Sequence, residues 1–411
     1  MFKRIILAAA AAIMMASCAT HSTEECGRKL DSELLNQTVS NSQNARIDDG
    51  KLTGSHVIIR QYGKDVLNRC YGLKSVQGGD SLTNEAVYRI ASMTKPVTSF
   101  ALLMEHDRGH LDLNDDLSKY LPEFAEMYLP ALDEDCNCIN DAEGHKVKGE
   151  KAQNSIKLYQ LVSHTSGVGE VRLSHEEMAS CNLDKAVEYL AAQPLDYEPS
   201  TRQAYSTGAF DLAARVIENV SGMEFGEYLE KNIFKPLGMT NTTFEPSADQ
   251  WQRLVAIHAR GEDGKSCDGN FHEGCVFSNF PAQYHAAGAA LASTAEDYAK
   301  FAQMLLDGGK TPKGKRLVSE ESMKLYSTPV VDDTVMPGVI KWGLGVRVVA
   351  GDGYTLPKGS FGWSGAYGSH FWVDPSNGLI AVYMKNSSYD GGAGAATGSE
   401  LEHNVMDSLE K

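Results

Sequence analysis

The stretch that decides the fold is VYRIASMTKPVTSFALL, residues 87–103. Its second half predicts an α-helix that runs from Ser92 to about Arg108 and ends at Gly109. Ser92 and Lys95 stand three residues apart, so they share one face of that helix, one turn apart. The helix therefore sets a hydroxyl beside an amine just where it is about to be buried. The apolar residues that repeat at i, i+3, i+4 and i+7 are Val97, Phe100, Ala101 and Met104.

A hydroxyl beside an amine at the start of a helix suits acylation chemistry. Serine is a weak nucleophile that needs a base within hydrogen-bond reach, and lysine can serve when burial lowers its pKa. The free N–H groups and the dipole of a helix N-terminus also favour negative charge. On these residues alone a structural alternative stays open, with Ser92 as an N-cap and Lys95 as a solvated first-turn residue. The same four-residue pattern at 408–411 lies in a tail that can hardly build a pocket.

The rest of the chain predicts an α+β fold. Residues 56–72, HVIIRQYGKDVLNRCYG, predict two antiparallel strands joined at Gly63 and Lys64. Residues 110–270 are predicted to be mostly helix and loop, and residues 293–309 predict a helix with both end signals. Strands at both ends with helices between them predict one antiparallel sheet, flanked by helices, with a helical lobe inserted. The strands predicted in the last hundred residues are KWGLGVRVV, SHFWVDP and LIAVYMKN.

Composition limits the class of protein and of partner. The chain has 411 residues, 42% of them hydrophobic and 22% charged, as in soluble globular proteins. The formal net charge of −16 argues against a nucleic-acid partner, because phosphate binding needs clustered lysine and arginine.

The N-terminus, MFKRIILAAAAAIMMASCAT, predicts export. A basic start and a short apolar run are typical of a secretory signal and too short for a membrane span. Residues 15–18, Met-Ala-Ser-Cys, resemble the lipobox of bacterial lipoproteins. That resemblance implies removal of residues 1–17, lipidation of Cys18, and a tether over 18–30 that anchors the protein in the cell envelope, in the periplasm or at the outer membrane. A plain signal peptide that happens to contain Cys18 is the alternative.

The remaining cysteines predict disulfide chemistry rather than a metal site. With Cys18 lipidated, seven cysteines remain, an odd number for a disulfide-permissive compartment. CDGNFHEGC, residues 267–275, is the favoured local bridge because its glycines allow a tight loop. Cys136 and Cys138 lack a second Cys or His pair at zinc spacing, so we expect an ordinary loop there.

Five segments in order resemble the serine β-lactamase and penicillin-binding-protein-like hydrolases of the class C type, whose S-x-x-K motif is Ser92 to Lys95 here. The resemblance covers roughly residues 30–390. It implies a β-lactamase/transpeptidase-like fold, with a catalytic domain over 31–411 and the helical lobe at about 110–270. The matching segments are YRIASMTKPVTSFALLMEHDRGHLDLNDDLSKYLPEF, LYQLVSHTSGV, YSTGAFDLAARVIENVSGMEFGEYLEKNIFKPLGMTNTTF, AAGAALASTAEDYAKFAQMLLDGG and GWSGAYGSHFWVDPSNGLIAVYMKN.

The resemblance assigns roles residue by residue. Ser92 matches the acylating nucleophile, Lys95 the lysine that activates it, and Tyr205 the tyrosine that shares the proton transfers. The oxyanion hole is implied to consist of the amides of Ser92 and Ala366. Because nucleophile, base and oxyanion hole are all protein groups, we expect no metal and no organic cofactor. The residues expected to line the substrate site are Thr207, Trp363, Ser364, Gly365 and Tyr367.

Two departures from the family pattern bear on the substrate. Thr207 stands where the second motif usually has asparagine, and Trp363 replaces the lysine or histidine that engages a substrate carboxylate. Trp-x-Gly resembles the family VIII carboxylesterases, so the expected substrate is a small-molecule ester without charge. A D-amino-acid peptidase or amidase, or a weak β-lactamase, stays an alternative, for which Lys358 or Arg202 are the candidate carboxylate anchors. A lipid-anchored protein that binds cell-wall peptides without turnover is the other alternative.

Three further residues invite other readings of the site. His164 in SHTSG suggests a Ser–His pair, but in the family this segment is a structural turn. His370 follows the third motif, and packing is its expected role. Ser206 in AYSTG fits a relaxed nucleophile elbow, which requires a buried strand where the polar, proline-containing LDYEPSTRQ stands.

Overall fold

The computed structural model describes residues 27–142, 144–173, 177, 180–269, 284–390 and 395–410. Cys18 and the predicted signal segment 1–17 lie outside these residues, as does Cys275, the predicted partner of Cys267. Residues 27–30, at the end of the predicted tether, already contact the body of the protein through hydrogen bonds to Tyr62 and Gln61. Within the described part of the chain, no helix is long and apolar enough to span a membrane.

A seven-stranded antiparallel sheet forms the centre of the molecule, in the order β2-β1-β13-β12-β11-β10-β9. Strand β1 pairs with β13 from His56–Met384 to Gln61–Leu379, so both ends of the chain build one sheet, as the sequence predicts. Its strands, together with three short two-stranded pairs elsewhere, are β1 (Gly54–Gln61), β2 (Lys64–Gly72), β3 (Tyr88–Arg89), β4 (Tyr128–Pro130), β5 (Lys148–Lys151), β6 (His258–Arg260), β7 (Ser266–Asp268), β8 (Ala292–Ser293), β9 (Ile340–Trp342), β10 (Arg347–Val349), β11 (Phe361–Ser364), β12 (His370–Asp374) and β13 (Leu379–Met384).

Two strand predictions need correction. The first hairpin turns at Tyr62 and Gly63, whose φ values of 51° and 75° suit the tight turns that match strand twist, and Lys64 already belongs to β2. KWGLGVRVV is a hairpin of β9 and β10 and not one strand, because the chain reverses at Gly345 with a φ of 73°.

Helices cover the two faces of the sheet and build the segment between β2 and β8. The helix predicted from Ser92 begins with a 3₁₀ turn over Ala91–Met93, and the α-helix itself starts at Thr94. Gly109, with a φ of 77°, follows its end as predicted. The helices are α1 (Ser32–Asp48), α2 (Thr94–Asp107), α3 (Leu158–Val162), α4 (Leu183–Ala192), α5 (Gly208–Ser221), α6 (Phe225–Leu229, continued by a π turn over Glu230–Phe234), α7 (Lys235–Leu237), α8 (Ala248–Gln252), α9 (Ala295–Leu306), α10 (Glu320–Tyr326) and α11 (Ala396–Asp407).

The core has two parts, one on each face of the sheet. On one face α2, α5 and α9 bury a large aromatic and aliphatic cluster, in which Phe100 of α2 meets Phe301 and Tyr326 edge to face. On the other face α1 and α11 cover Trp372 with Leu35 and Leu401. Because burial of one such side chain contributes about 1.5–3 kcal/mol, α2 is fixed firmly enough to hold the residues at its N-terminus.

Candidate active site

Ser92 is held by a short pairing at the edge of the large core. Strand β3 pairs with β8, and the amide of Ile90 bonds to the carbonyl of Leu291, which ties the chain down immediately before the serine. Ala91 then takes a φ of 45°, a left-handed conformation that costs a non-glycine residue about 1–3 kcal/mol. The hydroxyl of Thr94 donates to the Ala91 carbonyl at 2.7 Å and holds that conformation. Ser92 is thereby set, half-buried, on the turn that leads into α2.

Lys95 is completely buried and its amine is fully engaged. Its Nζ donates to Ser92 Oγ at 3.3 Å, to Thr207 Oγ1 at 3.2 Å and to the Gly288 carbonyl at 2.9 Å. Three acceptors match the three N–H donors of an ammonium group. The N-cap position of α2 is Met93 and not Ser92, so the structural alternative of a capping serine and a solvated lysine is wrong.

Tyr205 completes a cluster with these two residues. Lys95 Nζ lies 4.6 Å from the centroid of its ring, and its hydroxyl accepts a 3.3 Å hydrogen bond from Trp363 Nε1. The tyrosine is 41% exposed, so a ligand at the cluster can reach it. The adjoining Thr207 is fixed through its amide by Glu170 Oε1 at 2.7 Å, a contact that the sequence did not suggest.

The third motif brings its turn against the segment that carries Ser92. A Cβ added at Gly365 would stand 2.4 Å from the carbonyl oxygen of Ile90, so only glycine permits this approach. The amide of Gly365 bonds to Ser369 at 2.7 Å and closes the turn that holds Ala366 and Tyr367. This approach places the turn with Ala366 beside the start of the Ser92 helix.

Ser364 lies in the same motif, but its hydroxyl is engaged elsewhere. It bonds to His370 Nδ1 at 2.8 Å, and His370 Nε2 bonds to Glu402 of α11 at 3.0 Å. All three side chains are buried. His370 thus does more than pack, since it links the strand of the third motif to the last helix.

Arg347 is the cation that the structure places beside Trp363. Its Cζ lies 5.3 Å from the Trp363 ring, and Trp342 closes the same aromatic wall at 4.5 Å. Of the two cations suggested by sequence, Arg202 stacks on Tyr197 and Lys358 is exposed. Arg347 was missed because residues 341–349 were read as one strand, and the register that pairs Arg347 with Gly362 cannot be read from the sequence.

The other nucleophile candidate has a structural environment. Ser206 is buried, donates to the Gly169 carbonyl at 3.1 Å and accepts from the Ala209 amide at 3.2 Å, at the start of α5. No strand precedes it within the described residues from 180 to 205. Ser206 therefore lacks the strand-to-helix turn of a nucleophile elbow.

A buried carboxyl lies behind Lys95. Asp211 of α5 accepts the Ala287 amide at 2.8 Å and the Tyr284 hydroxyl, one residue from the Gly288 carbonyl that binds Lys95. Burial raises the pKa of Asp211 to about 7, although these hydrogen bonds and the charge of Lys95 favour its ionised form. Among the described residues, no group of three or more His, Cys, Asp or Glu side chains is arranged to hold a metal ion.

This fold and this cluster define a serine hydrolase of the β-lactamase and penicillin-binding-protein class. The Beta-lactamase family matches residues 35–403, and the chain belongs to that family. It is 25% identical over 380 residues to esterase EstB of Burkholderia gladioli, with 84% of this chain and 89% of EstB covered. It is also 25% identical over 397 residues to a putative D-alanyl-D-alanine carboxypeptidase of Salmonella typhimurium, with 89% and 85% covered. Among solved structures it is similar to EstCE1, a hydrolase with promiscuous acyltransferase activity, with a TM-score of 0.76, 21% identity and coverage of 91% and 99%.

Proposed function

We propose that the protein is a carboxylesterase-type hydrolase that forms an acyl-enzyme on Ser92 with a small, uncharged ester. The observation that carries this proposal is the 3.3 Å contact between Ser92 Oγ and the buried Nζ of Lys95. A lysine without contact to solvent, bonded to a serine that solvent reaches, is arranged for proton transfer and not for surface solubility.

In the proposed reaction Ser92 Oγ attacks the ester carbonyl carbon while its one proton passes to the Tyr205 oxygen, which reacts as a phenolate beside the Lys95 ammonium. The carbonyl oxygen gains negative charge and is held by the amides of Ser92 and Ala366. The C–O bond to the alcohol then breaks, and the alcohol leaves with a proton from Tyr205. Water repeats the attack on the acyl group and restores Ser92 as the acid leaves.

The preference for an uncharged ester rests on the wall formed by Trp363 and Trp342. Trp363 stands where the family pattern has a cation, and Trp342 packs against it at 4.5 Å, so the wall itself is apolar. Transfer of an unpaired carboxylate to such a surface is costly. The similarity to esterase EstB supports an ester substrate.

The test is a substrate panel of p-nitrophenyl esters of increasing chain length, nitrocefin and D-Ala-D-Ala peptides. We expect short neutral esters to be the best substrates and Ser92→Ala to lower kcat/KM about 1,000-fold or more. Lys95→Met and Tyr205→Phe should each lower it about 100-fold or more. A fluorophosphonate probe should label Ser92, and a label on Ser206 would refute the assignment. Equal, slow rates for wild type and Ser92→Ala would instead favour a binding protein without turnover.

Arg347 favours a second candidate function, the hydrolysis of D-amino-acid peptides or β-lactams that bear a carboxylate. Its guanidinium stacks on Trp363 and can pair with an anion at the mouth of the cluster. Glu402 lines the same small cavity as Arg347 and offsets part of its charge, so the neutral ester remains the first choice. Arg347→Gln should raise KM about tenfold for an anionic ester only if this second function holds. Arg202→Gln, which removes a cation stacked on Tyr197, is the matched control.

We also propose that Cys18 is lipidated after export and that residues 1–17 are removed. The proposal rests on the basic start, the short apolar run and the lipobox-like Met-Ala-Ser-Cys. Mass spectrometry of the protein from a bacterial membrane fraction tests it. A mature chain that begins at a diacylated Cys18 is expected, and an unmodified N-terminus elsewhere would refute it.

A further inference from the structure

His164 lies against Tyr205 in the middle of a buried aromatic cluster. Its ring centroid is 4.4 Å from that of Tyr205, and the two rings are tilted by 32°. The His164 ring also packs against Trp342 and Phe210, with ring-centroid distances of 4.3 Å and 5.4 Å. The imidazole is completely buried, so the partly exposed Tyr205 ring rests on a side chain that solvent does not reach.

The chain on both sides of Tyr205 is bonded to this one histidine. The amide of Ala204 donates to the His164 carbonyl at 3.0 Å, and the amide of Ser206 donates to His164 Nδ1 at 3.1 Å. The Tyr197 hydroxyl donates to the same carbonyl at 3.0 Å. The tyrosine is thus fixed by the residue before it, the residue after it and its own ring.

The backbone of His164 is strained, with a φ of 60°. A left-handed conformation costs a non-glycine residue about 1–3 kcal/mol and persists only where surrounding contacts determine it. Here those contacts are the bonds to Ala204, Ser206 and Tyr197. The strain is therefore tied to the placement of the Tyr205 segment.

The imidazole is neutral. Its Nδ1 accepts a hydrogen bond, and its Nε2 is buried without a hydrogen-bond partner among the described residues. Burial, and then the charge of Lys95, hold the pKa of His164 well below its usual range. No carboxylate is among the groups that act on it, so a neutral ring is the form that packs against Tyr205.

We propose that His164 is a positioning residue for Tyr205, which it fixes beside Lys95 by ring packing and by bonding the amides on either side. The inference rests on the proposed function, because the placement of Tyr205 matters only if Tyr205 transfers protons. It assigns His164 no proton transfer of its own. Displacement of a catalytic group by about 1 Å lowers a rate up to about 100-fold, so loss of the support is measurable.

Two variants separate the parts of this support. His164→Asn keeps an acceptor near the position of Nδ1 and tolerates the left-handed backbone, but it removes the ring. His164→Phe keeps a ring against Tyr205 and removes the acceptor. Melting temperature and circular dichroism establish that each variant is folded before its kinetics are compared.

The decisive measurement is a double-mutant cycle on acylation by a p-nitrophenyl ester. We expect His164→Asn to lower kcat about 10- to 100-fold with KM unchanged within about threefold, and to leave the shape of the pH profile unchanged. In a Tyr205→Phe background the same substitution should have little further effect, because the hydroxyl that His164 positions is already absent.

Three outcomes would overturn the inference. Wild-type kcat in both folded His164 variants would show that the support is not needed. An equal loss in the Tyr205→Phe background would show that His164 acts independently of Tyr205. Loss of the acidic limb of the pH profile in the His164 variants would show that His164 accepts a proton in the reaction. Failure of the proposed function is distinct from all three, since it would appear as equal rates for wild type and Ser92→Ala.

Discussion

At the scale of single residues, the site leaves no room for a side chain at Gly288. A Cβ there would stand 2.5 Å from Thr207 Cγ2 and 3.2 Å from Lys95 Nζ, the amine that donates to the Gly288 carbonyl. We expect Gly288→Ala to lower kcat about 100-fold while the protein stays folded, because the methyl group displaces the amine. Esterase kinetics and the melting temperature measure this. Gly351→Ala, whose Cβ makes an ordinary 3.4 Å contact with Val339, is the control and should be silent.

The buried carboxyl of Asp211 should make the stability of the protein depend on pH. Burial raises its pKa from the ordinary value of 3.8 to about 7, so the folded state holds a proton that the unfolded state releases between those values. Stability should therefore fall as pH rises from about 4 to 7, by up to a few kcal/mol. Asp211→Asn cannot titrate, so its free energy of unfolding relative to wild type should rise over that window. Urea unfolding at pH 5 and pH 8 tests this, and a constant difference between the proteins would contradict it.

Spacing suggested Ser92 and Lys95, the family resemblance added Tyr205 and Trp363, and the structure brings all four together. Spacing could not reveal Asp211, because a carboxylate in an amphipathic helix looks the same whether solvent or Lys95 lies beyond it. It could not reveal the left-handed Ala91 either, since alanine carries no sign of positive φ in a sequence. The motif residues could be found in the sequence, and the residues that lie behind or before them in the structure could not.

At the scale of elements, a histidine clasp fastens the segment before β8 to the helical region. His285 bonds Glu224 at 2.7 Å and Glu245 at 3.1 Å. Burial alone would lower the pKa of His285, but the two carboxylates raise it, and the pKa of Glu224 falls to about 2, mainly through its hydrogen bond to His285. His285 and Glu224 therefore pair as opposite charges in the folded state at pH 6.

The clasp should weaken as pH rises. His285 adds stability that is complete below its unfolded pKa near 6.5 and is lost as pH rises through its raised folded value. Glu224→Gln should therefore cost more at pH 6 than at pH 9, with a difference of about 1 kcal/mol or less because Glu224 is half exposed. Thermal unfolding at both pH values measures it, with Glu262→Gln on the exposed surface as the control.

Periodicity and end signals predicted α2 and α9, and β-branched and aromatic residues predicted β12 and β13, whereas α1 and α11 were not predicted. The boundaries between elements depended on contacts distant in sequence. The 3₁₀ turn before α2 exists because β3 is paired with β8 about 200 residues away, a contact that local pattern does not encode. The hairpin of β9 and β10 looked like one strand because the apolar residues Trp342, Leu344 and Val346 alternate with its glycines.

At the scale of the molecule, the two ends of the described chain meet. Asp31 bonds to Ser408 and Glu410 to Lys29, both at 2.8 Å, next to the pair of Leu30 and Leu409. We expect a circular permutant of residues 27–410, with these ends joined by a short linker and opened at the exposed Gly314, to fold and keep the hydrolase activity of the linear chain. A permutant opened within β13 should not fold. Circular dichroism and activity compare both with the linear chain, and an unfolded Gly314 permutant would contradict the expectation.

The pairing of β1 with β13 also bears on when the sheet and the site can assemble during synthesis. Gln61 pairs with Leu379, so more than 300 residues separate the partners, and a ribosome finishes almost the whole chain before the hairpin of β1 and β2 meets its neighbour. Until then the nascent hairpin has an open edge, which invites association with other chains. The turn that carries Ala366 joins Ser92 only in the same late step. Ser92 and the turn with Ala366 therefore come together only when almost the whole described chain is available to fold.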